Sequence, residues 1–202
     1  MTAYLQPSEC VDSDHPAVRA YAERAIDGAT DQHEQIRRLF ATVRDSIRYD
    51  PFNFSQDRAD YRASAVAGVD SAFCIPKAIL FTAGARSLGI PARMAFADVR
   101  NHLQPEGLRE KMGTDLFLWH GYSELLVDGV WRKASPAFNR ELCARFGVEA
   151  LDFDGTADAI LHPYNGGGAR YMEYVTDRGS FEDFPFEEFL ADVVAAYPAM
   201  AG

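Results

Sequence analysis

The sequence is poor in cysteine and has no long hydrophobic segment. Its three cysteines, Cys10, Cys74 and Cys143, are an odd number and include no C-x-x-C pair, so we expect neither a disulfide framework nor a zinc or thioredoxin-type motif. The first ten residues lack the basic and apolar regions of a secretory signal, and no apolar run approaches the roughly 18 residues of a membrane span. These absences predict a reduced, cytoplasmic protein without membrane contact.

Positive charge is also scarce. The chain has 20 lysines and arginines against 30 aspartates and glutamates, which gives a formal net charge of -10. A surface of this sign repels phosphate backbones, so nucleic acid is not an expected partner. The hydrophobic share of 48% and the charged share of 25% are typical of folded globular proteins. With neither a repeat nor a linker in view, the sequence predicts one domain over residues 1–202.

The apolar pattern changes from a helical period in the first half to a strand period in the second. Asp128 and Gly129 separate two alternating segments, which is a strong signal for a hairpin turn. We predict helices over residues 15–25, 32–47, 74–88 and 186–197, and strands over residues 92–99, 122–127, 130–134 and 170–175. Helices first and antiparallel strands later are typical of an α+β fold.

Cys74 lies at the predicted start of the most apolar helix, which ends at Gly89 with Pro91 beyond it. A helix N-terminus stabilises a thiolate, and its free N–H groups can hold the oxyanion of a tetrahedral intermediate. Lys77, one turn into the helix, either favours the thiolate or points to solvent. Taken alone, Cys74 fits an inert core residue better than a nucleophile, so its assignment depends on finding a base.

His120 is the candidate base. It stands at a predicted strand start, in the segment L-W-H-G-Y-S-E. A catalytic cysteine needs an imidazole that takes its proton and later delivers it to the leaving group, and a strand facing a helix N-terminus across a cleft can supply one. A single histidine at a strand edge is otherwise only a hydrogen-bonding residue, and the 46-residue separation from Cys74 decides nothing.

Four blocks, in this order, resemble the core of the transglutaminase-like superfamily. Residues 73–78 and 83–93 are similar to a helix that begins at a nucleophilic cysteine and ends in a G-I-P-A-R turn. Residues 120–124 resemble the H-x-W-x-E block, with tyrosine at the tryptophan position, and residues 128–131 its hairpin and following tryptophan. The motifs cover about residues 70–138. The resemblance implies a papain-like fold, with N-terminal helices packed on an antiparallel sheet, and a Cys-His-Asp site.

The third residue of that site departs from the family pattern. The pattern W-x-x-x-D-P corresponds to residues 131–136, where Ser135 stands in the aspartate position. A serine hydroxyl can hydrogen-bond an imidazole but supplies no charge, so it would stabilise an ion pair of the cysteine and the histidine less well. Asn139 is the alternative orienter, as an uncharged amide, and Asp98 is a weaker one.

Two further residues are candidates for contact with substrate. Trp119 precedes His120 and either forms a wall of the cleft or packs in the core. His102 belongs to a polar cluster at a strand end, where it competes with His120 as the base or lies in a solvated loop. No ligand spacing supports a metal site built from Cys74, His102 and His120, and no metal or cofactor is predicted.

The resemblance implies acyl transfer through a thioester on Cys74. We favour hydrolysis of a peptide, a protein side-chain amide or a small amide, because water is always present and no motif for a second substrate is visible. Transamidation, in which an amine takes the acyl group, is the alternative. A catalytically inactive binding module is a third possibility, motivated by Ser135. The sequence does not indicate an oligomeric state.

Overall fold

A computed structural model describes residues 2–162 and 164–197 of the chain. Short 3-10 helices at Ala3–Leu5 and Arg58–Tyr61 accompany the regular elements. The α-helices are α1 (Pro16–Ile26), α2 (Gln32–Ser46), α3 (Ala63–Val66), α4 (Cys74–Ser87), α5 (Glu106–Met112), α6 (Arg140–Phe146) and α7 (Phe186–Ala196). The β-strands are β1 (Arg48–Tyr49), β2 (Ser71–Ala72), β3 (Ala92–Asn101), β4 (Leu116–Val127), β5 (Val130–Ala134) and β6 (Met172–Phe181).

The predicted α+β layout is confirmed. Four antiparallel strands form one sheet in the order β5-β4-β3-β6, and the first half of the chain supplies helices α1 to α4. The hairpin between β4 and β5 turns at Asp128 and Gly129, whose φ angles of 50° and 79° both lie in the left-handed region. That conformation suits a tight two-residue hairpin turn. β1 and β2 form a separate short parallel pair, which leads into Cys74.

Helix α4 is the centre of the fold. Thirteen of its 14 residues are buried, as expected for a helix that is apolar on all sides. It lies against β4, where Ser123 Oγ lies 3.1 Å from the Ala78 carbonyl oxygen and 2.8 Å from Thr82 Oγ1. The helix that carries the predicted nucleophile is therefore fixed to the strand that carries the predicted base.

Lys77 is fully buried, and its ammonium group does not reach solvent. Its Nζ donates hydrogen bonds to the carbonyl oxygens of Arg44 and Ile47, at 2.8 and 2.6 Å. These carbonyls lie at the C-terminal end of α2, where a helix has unpaired acceptors and partial negative charge. Burial lowers the pKa of Lys77 to about 7. The solvent-facing alternative for Lys77 is thus wrong, and the residue joins α4 to α2.

No helix within the described ranges combines the length and the hydrophobicity needed to cross a membrane.

Candidate active site

Cys74 occupies the first position of α4, where Phe73 at the N-cap makes no capping hydrogen bond through its side chain. Burial raises the pKa of the thiol to about 11, and hydrogen bonds from the backbone N–H groups of Gly121, Ile75 and Cys74 itself lower it only in part. Backbone N–H groups at the start of α4 and on β4 therefore favour negative charge on the sulfur, and burial, the larger effect, disfavours it.

Gly121 is what allows the helix start to approach the strand. A Cβ built on Gly121 would lie 3.0 Å from Ile75 Cγ1 and 3.1 Å from Ile75 Cα. The second contact is with backbone, which cannot rotate away, so any side chain at position 121 would push α4 from β4. The sequence motif contains Gly121, but the sequence alone indicates no role for it. Close contact between two segments that are distant in the chain leaves no local pattern.

His120 precedes Gly121 on β4 and is 5% exposed. Its ring lies against the rings of Tyr122 and Tyr174, with centroid separations of 6.4 and 6.2 Å. Burial lowers the pKa of His120 to about 4, and no carboxylate contributes to that shift. Ser135 Oγ lies 3.4 Å from His120 Nε2, so the serine is the side chain that contacts the imidazole where the family pattern has aspartate.

The two shifts in pKa together describe a neutral pair. Burial favours the thiol over the thiolate at Cys74 and the imidazole over the imidazolium at His120. Ser135 is itself buried and carries no charge that would oppose this preference. Both directions favour the neutral thiol and imidazole over an ion pair of the two side chains.

A β-bulge immediately before His120 sets the direction of the strand. Ala97 pairs with His120 and Val99 with Phe117, so that Asp98 alone faces Leu118 and Trp119. Trp119 has a φ of 58°, which is uncommon for a bulky residue. Bulges of this kind re-aim side chains next to active sites, and this one is held by the side chain of Asp98.

The carboxylate of Asp98 secures the bulge and is engaged away from His120. Its Oδ1 accepts hydrogen bonds from the Trp119 backbone N–H at 3.1 Å and from Arg178 Nε at 2.5 Å. Arg178 also binds Asp192, which accepts from the indole Nε1 of Trp119 at 2.8 Å. The structure thus gives Asp98 a supporting contact one residue before His120 and does not support it as the orienter of the imidazole.

Asn139 and His102 are also engaged elsewhere. Asn139 stands at the N-cap of α6, and its Oδ1 accepts from the Tyr49 backbone N–H at 3.2 Å, so Asn139 as alternative orienter is not supported. His102 Nε2 contacts Glu173 at 2.9 Å on the surface. His102 does not line the cavity of about 570 Å³ that Cys74, Trp119 and His120 share, so it is placed neither as a rival base nor as a substrate contact.

The buried histidine predicts a loss of stability in acid. Its pKa is about 4 in the folded chain against an ordinary 6.5, so the unfolded chain binds the extra proton first. The contribution of neutral His120 to the free energy of unfolding is complete above pH 6.5 and is lost as the pH falls through 4. At about 1.4 kcal/mol for each pKa unit, the free energy of unfolding should fall by up to about 3 kcal/mol from this group.

Chemical denaturation of the wild type and of His120→Gln between pH 7 and pH 4 tests this prediction. The variant should lose less of its free energy of unfolding than the wild type. Equal losses in wild type and His120→Gln would contradict the assignment of this pH dependence to His120.

Comparison with known proteins agrees with the fold and the order of the motifs. The sequence model of the transglutaminase-like superfamily matches residues 19–136, more than half of the chain. None of the curated protein sequences matches it. Among solved structures, a candidate cysteine protease from Cytophaga hutchinsonii is similar at 17% identity with a TM-score of 0.53, over 89% of this chain and 46% of that one.

The periplasmic domain of TgpA from Pseudomonas aeruginosa is also similar, at 21% identity with a TM-score of 0.47, over 66% of this chain and 45% of that domain. The chain thus spans less than half the length of either structure. The family match includes Cys74 and His120, which line one cavity, and Ser135, which contacts His120. The chain belongs to the transglutaminase-like superfamily.

Proposed function

We propose that the chain is a cysteine-dependent acyl-transfer enzyme that hydrolyses an amide or peptide bond through a thioester on Cys74. One observation carries the proposal. Cys74, at the start of α4, and His120, on β4, line the same cavity, and a Cβ on Gly121, the residue after His120, would lie 3.1 Å from the Ile75 Cα of α4. This arrangement supports a nucleophile, a base and backbone donors that act on one carbonyl group.

The neutral resting pair determines the first step. As the Cys74 sulfur bonds to the carbonyl carbon, its proton passes to His120, and the carbonyl oxygen becomes an oxyanion. The N–H groups at the start of α4 are the nearest donors for that oxyanion. Collapse of the intermediate breaks the carbon–nitrogen bond, and the imidazolium of His120 gives its proton to the departing amine. The acyl group remains on Cys74 as a thioester.

The second step returns the enzyme to its resting state. His120 takes a proton from water as the water oxygen bonds to the thioester carbon, and the acid leaves when the carbon–sulfur bond breaks and the sulfur recovers the proton. Ser135, 3.4 Å from Nε2, supports the ring in both steps without a charge. Transamidation would use the same thioester with an amine in place of water, and adding an amine to the assay distinguishes the two.

Ser135 also favours a second candidate function, a binding module that has lost catalysis. Without the charge of an aspartate, the imidazolium that the mechanism requires is less well stabilised. Substrates and partners are proposed on the mechanism alone: a peptide, a protein side-chain amide or a small amide, with neither nucleic acid nor membrane. A cytoplasmic location remains a prediction, consistent with three free cysteines.

The two candidates differ in the reactivity of Cys74. We would measure iodoacetamide alkylation from pH 6 to pH 10, with mass spectrometry reporting Cys10, Cys74 and Cys143 separately. The enzyme proposal expects Cys74 to react fastest, because the other two do not line the cavity. Its rate should keep rising above pH 8, since the pair is neutral, and His120→Ala should slow it. A Cys74 rate no higher than those of Cys10 and Cys143 would favour the inactive module.

A further inference from the structure

The cavity beside Cys74 has a composition that limits what its substrate can be. It measures about 570 Å³, within the range of about 300 to 1,000 Å³ that small-molecule sites occupy. Aromatic and aliphatic side chains form most of its lining, and they come from α5, α6, α7, the loop after β1 and the strands β3 and β4. Among the lining residues in the described ranges, Lys111 is the one lysine or arginine, and no aspartate or glutamate is present.

That single cation lies at the outside of the cavity. Lys111 is exposed, and its Nζ lies 4.6 Å from the centroid of the Phe52 ring, which is itself 50% exposed. The interior therefore offers no lysine, arginine, aspartate or glutamate to a substrate.

Several polar groups of the wall are already occupied by the protein. The Trp119 indole donates to Asp192, and the Asn101 side-chain oxygen accepts from the Leu103 backbone N–H at 3.0 Å. Tyr197 Oη donates to the Leu116 carbonyl oxygen and accepts from the Leu118 backbone N–H, each at 2.7 Å. A polar acyl group, such as a glutamine side chain, would lose its hydrogen bonds to water here and find few replacements.

We propose that the acyl group transferred to Cys74 is a large apolar one, and that it fills this cavity with its carbonyl carbon at the Cys74 sulfur. The proposal rests on the acyl-transfer function argued above and names its substrate class. A cavity of about 570 Å³ has room for a drug-sized group, such as a straight chain of about ten carbons or an aromatic acyl group.

Part of the wall lies outside the segment that the family model matches. Phe189, Val193 and Tyr197, in and just after α7, line the cavity, whereas the match ends at residue 136. Val193 is 7% exposed and its neighbour Val194 is 39% exposed. The two valines therefore form a matched pair, one facing the cavity and one facing away from it.

Acylation by 4-nitrophenyl acetate, hexanoate and decanoate tests the proposal. In each reaction the Cys74 sulfur bonds to the carbonyl carbon, the carbon–oxygen bond breaks, 4-nitrophenolate leaves, and the thiol proton passes through His120 to solvent. Each buried methylene should favour the reaction roughly fourfold until the cavity is full. We expect kcat/KM for acylation to rise at least tenfold from acetyl to decanoyl, with the acyl group on Cys74.

The two valine variants then test whether the preference for longer acyl groups depends on the cavity. Val193→Trp should reduce the decanoyl-to-acetyl ratio by about tenfold, and Val194→Trp should leave it unchanged. If acetyl and decanoyl esters acylate Cys74 equally well, the proposed substrate class is wrong while the acyl-transfer function stands. Because this chain-length comparison uses the wild type, it tests the proposed substrate class even if Val193→Trp does not fold.

Calorimetric binding to Cys74→Ser separates the cavity from the chemistry. Decanamide should bind at least tenfold more tightly than acetamide, in a manner that Val193→Trp weakens and Val194→Trp does not. If no ester acylates Cys74 but this preference is present, the acyl-transfer function fails and the apolar ligand class stands. N-acetylphenylalaninamide that binds as tightly as decanamide would instead identify a hydrophobic amino-acid side chain of a peptide as the occupant, and would overturn the proposal that an apolar acyl group itself fills the cavity.

Discussion

Replacing Cys74 with serine is expected to lower kcat/KM for amide hydrolysis by about 10³-fold or more. The reason is the weakness of the base. Burial lowers the pKa of His120 to about 4, so the imidazole can assist the removal of a proton from a thiol much better than from the far less acidic serine hydroxyl. The same substitution changes a single atom of a buried residue, and the fold should be retained.

A panel of acyl 4-nitroanilides, from acetyl to decanoyl, provides the measurement. Cys10→Ala is the matched control, because Cys10 is a buried free cysteine that does not line the cavity, and its activity should equal that of the wild type. More than a tenth of the wild-type activity in Cys74→Ser would mean that the nucleophile is another group.

Introducing aspartate at position 135 is expected to change the charge state of the site. Ser135 Oγ lies 3.4 Å from His120 Nε2, so a carboxylate there would stand next to the imidazole. An opposite charge at such a distance raises the pKa of a histidine by about 1 to 3. The imidazolium formed in this way would in turn lower the pKa of Cys74 and favour the ion pair.

The rate of Cys74 alkylation at pH 6 should therefore rise by about tenfold or more in Ser135→Asp, and its pH profile should flatten toward neutral pH. Ser135→Asn supplies a side chain of nearly the same shape without the charge, and it should keep the profile of the wild type. Identical profiles for the aspartate and asparagine variants would show that charge at position 135 does not control the pair.

Much of the site could be predicted from local sequence because its elements begin and end at residues with local signals. Helix α4 begins at Cys74 and ends just before Gly89 and Pro91. Strand β5 has the predicted bounds, since the Asp128-Gly129 turn fixes its register. The position of Ser135 beside the imidazole follows from that register.

Other features depended on contacts that no local pattern encodes. Strand β4 begins at Leu116, six residues before the predicted start, because the bulge at Trp119 interrupts the alternation of the strand. Strand β6 extends from Met172 to Phe181, whereas the prediction stopped at residue 175, since the polar second half of this edge strand resembles a loop and is held by pairing with β3.

Helix α5 had no predicted counterpart. Its seven residues lie between Pro105 and Gly113 and include Gly107, which together suggest a turn rather than a helix. The helix is held by the burial of Leu108 and Met112, one turn apart on the same face, both of which line the cavity. The apolar cavity, and with it the substrate class, was therefore not visible in the sequence.

The most direct test of the acyl-transfer centre is to trap its thioester. The wild type would be incubated briefly with 4-nitrophenyl decanoate or acetate at pH 7, quenched in acid and digested. Mass spectrometry would then give the mass of each cysteine-containing peptide. We predict a hydroxylamine-sensitive acyl group on Cys74, much reduced in His120→Ala and absent from Cys10 and Cys143. Both esters leaving Cys74 unmodified, or acylating all three cysteines alike, would contradict the proposed centre.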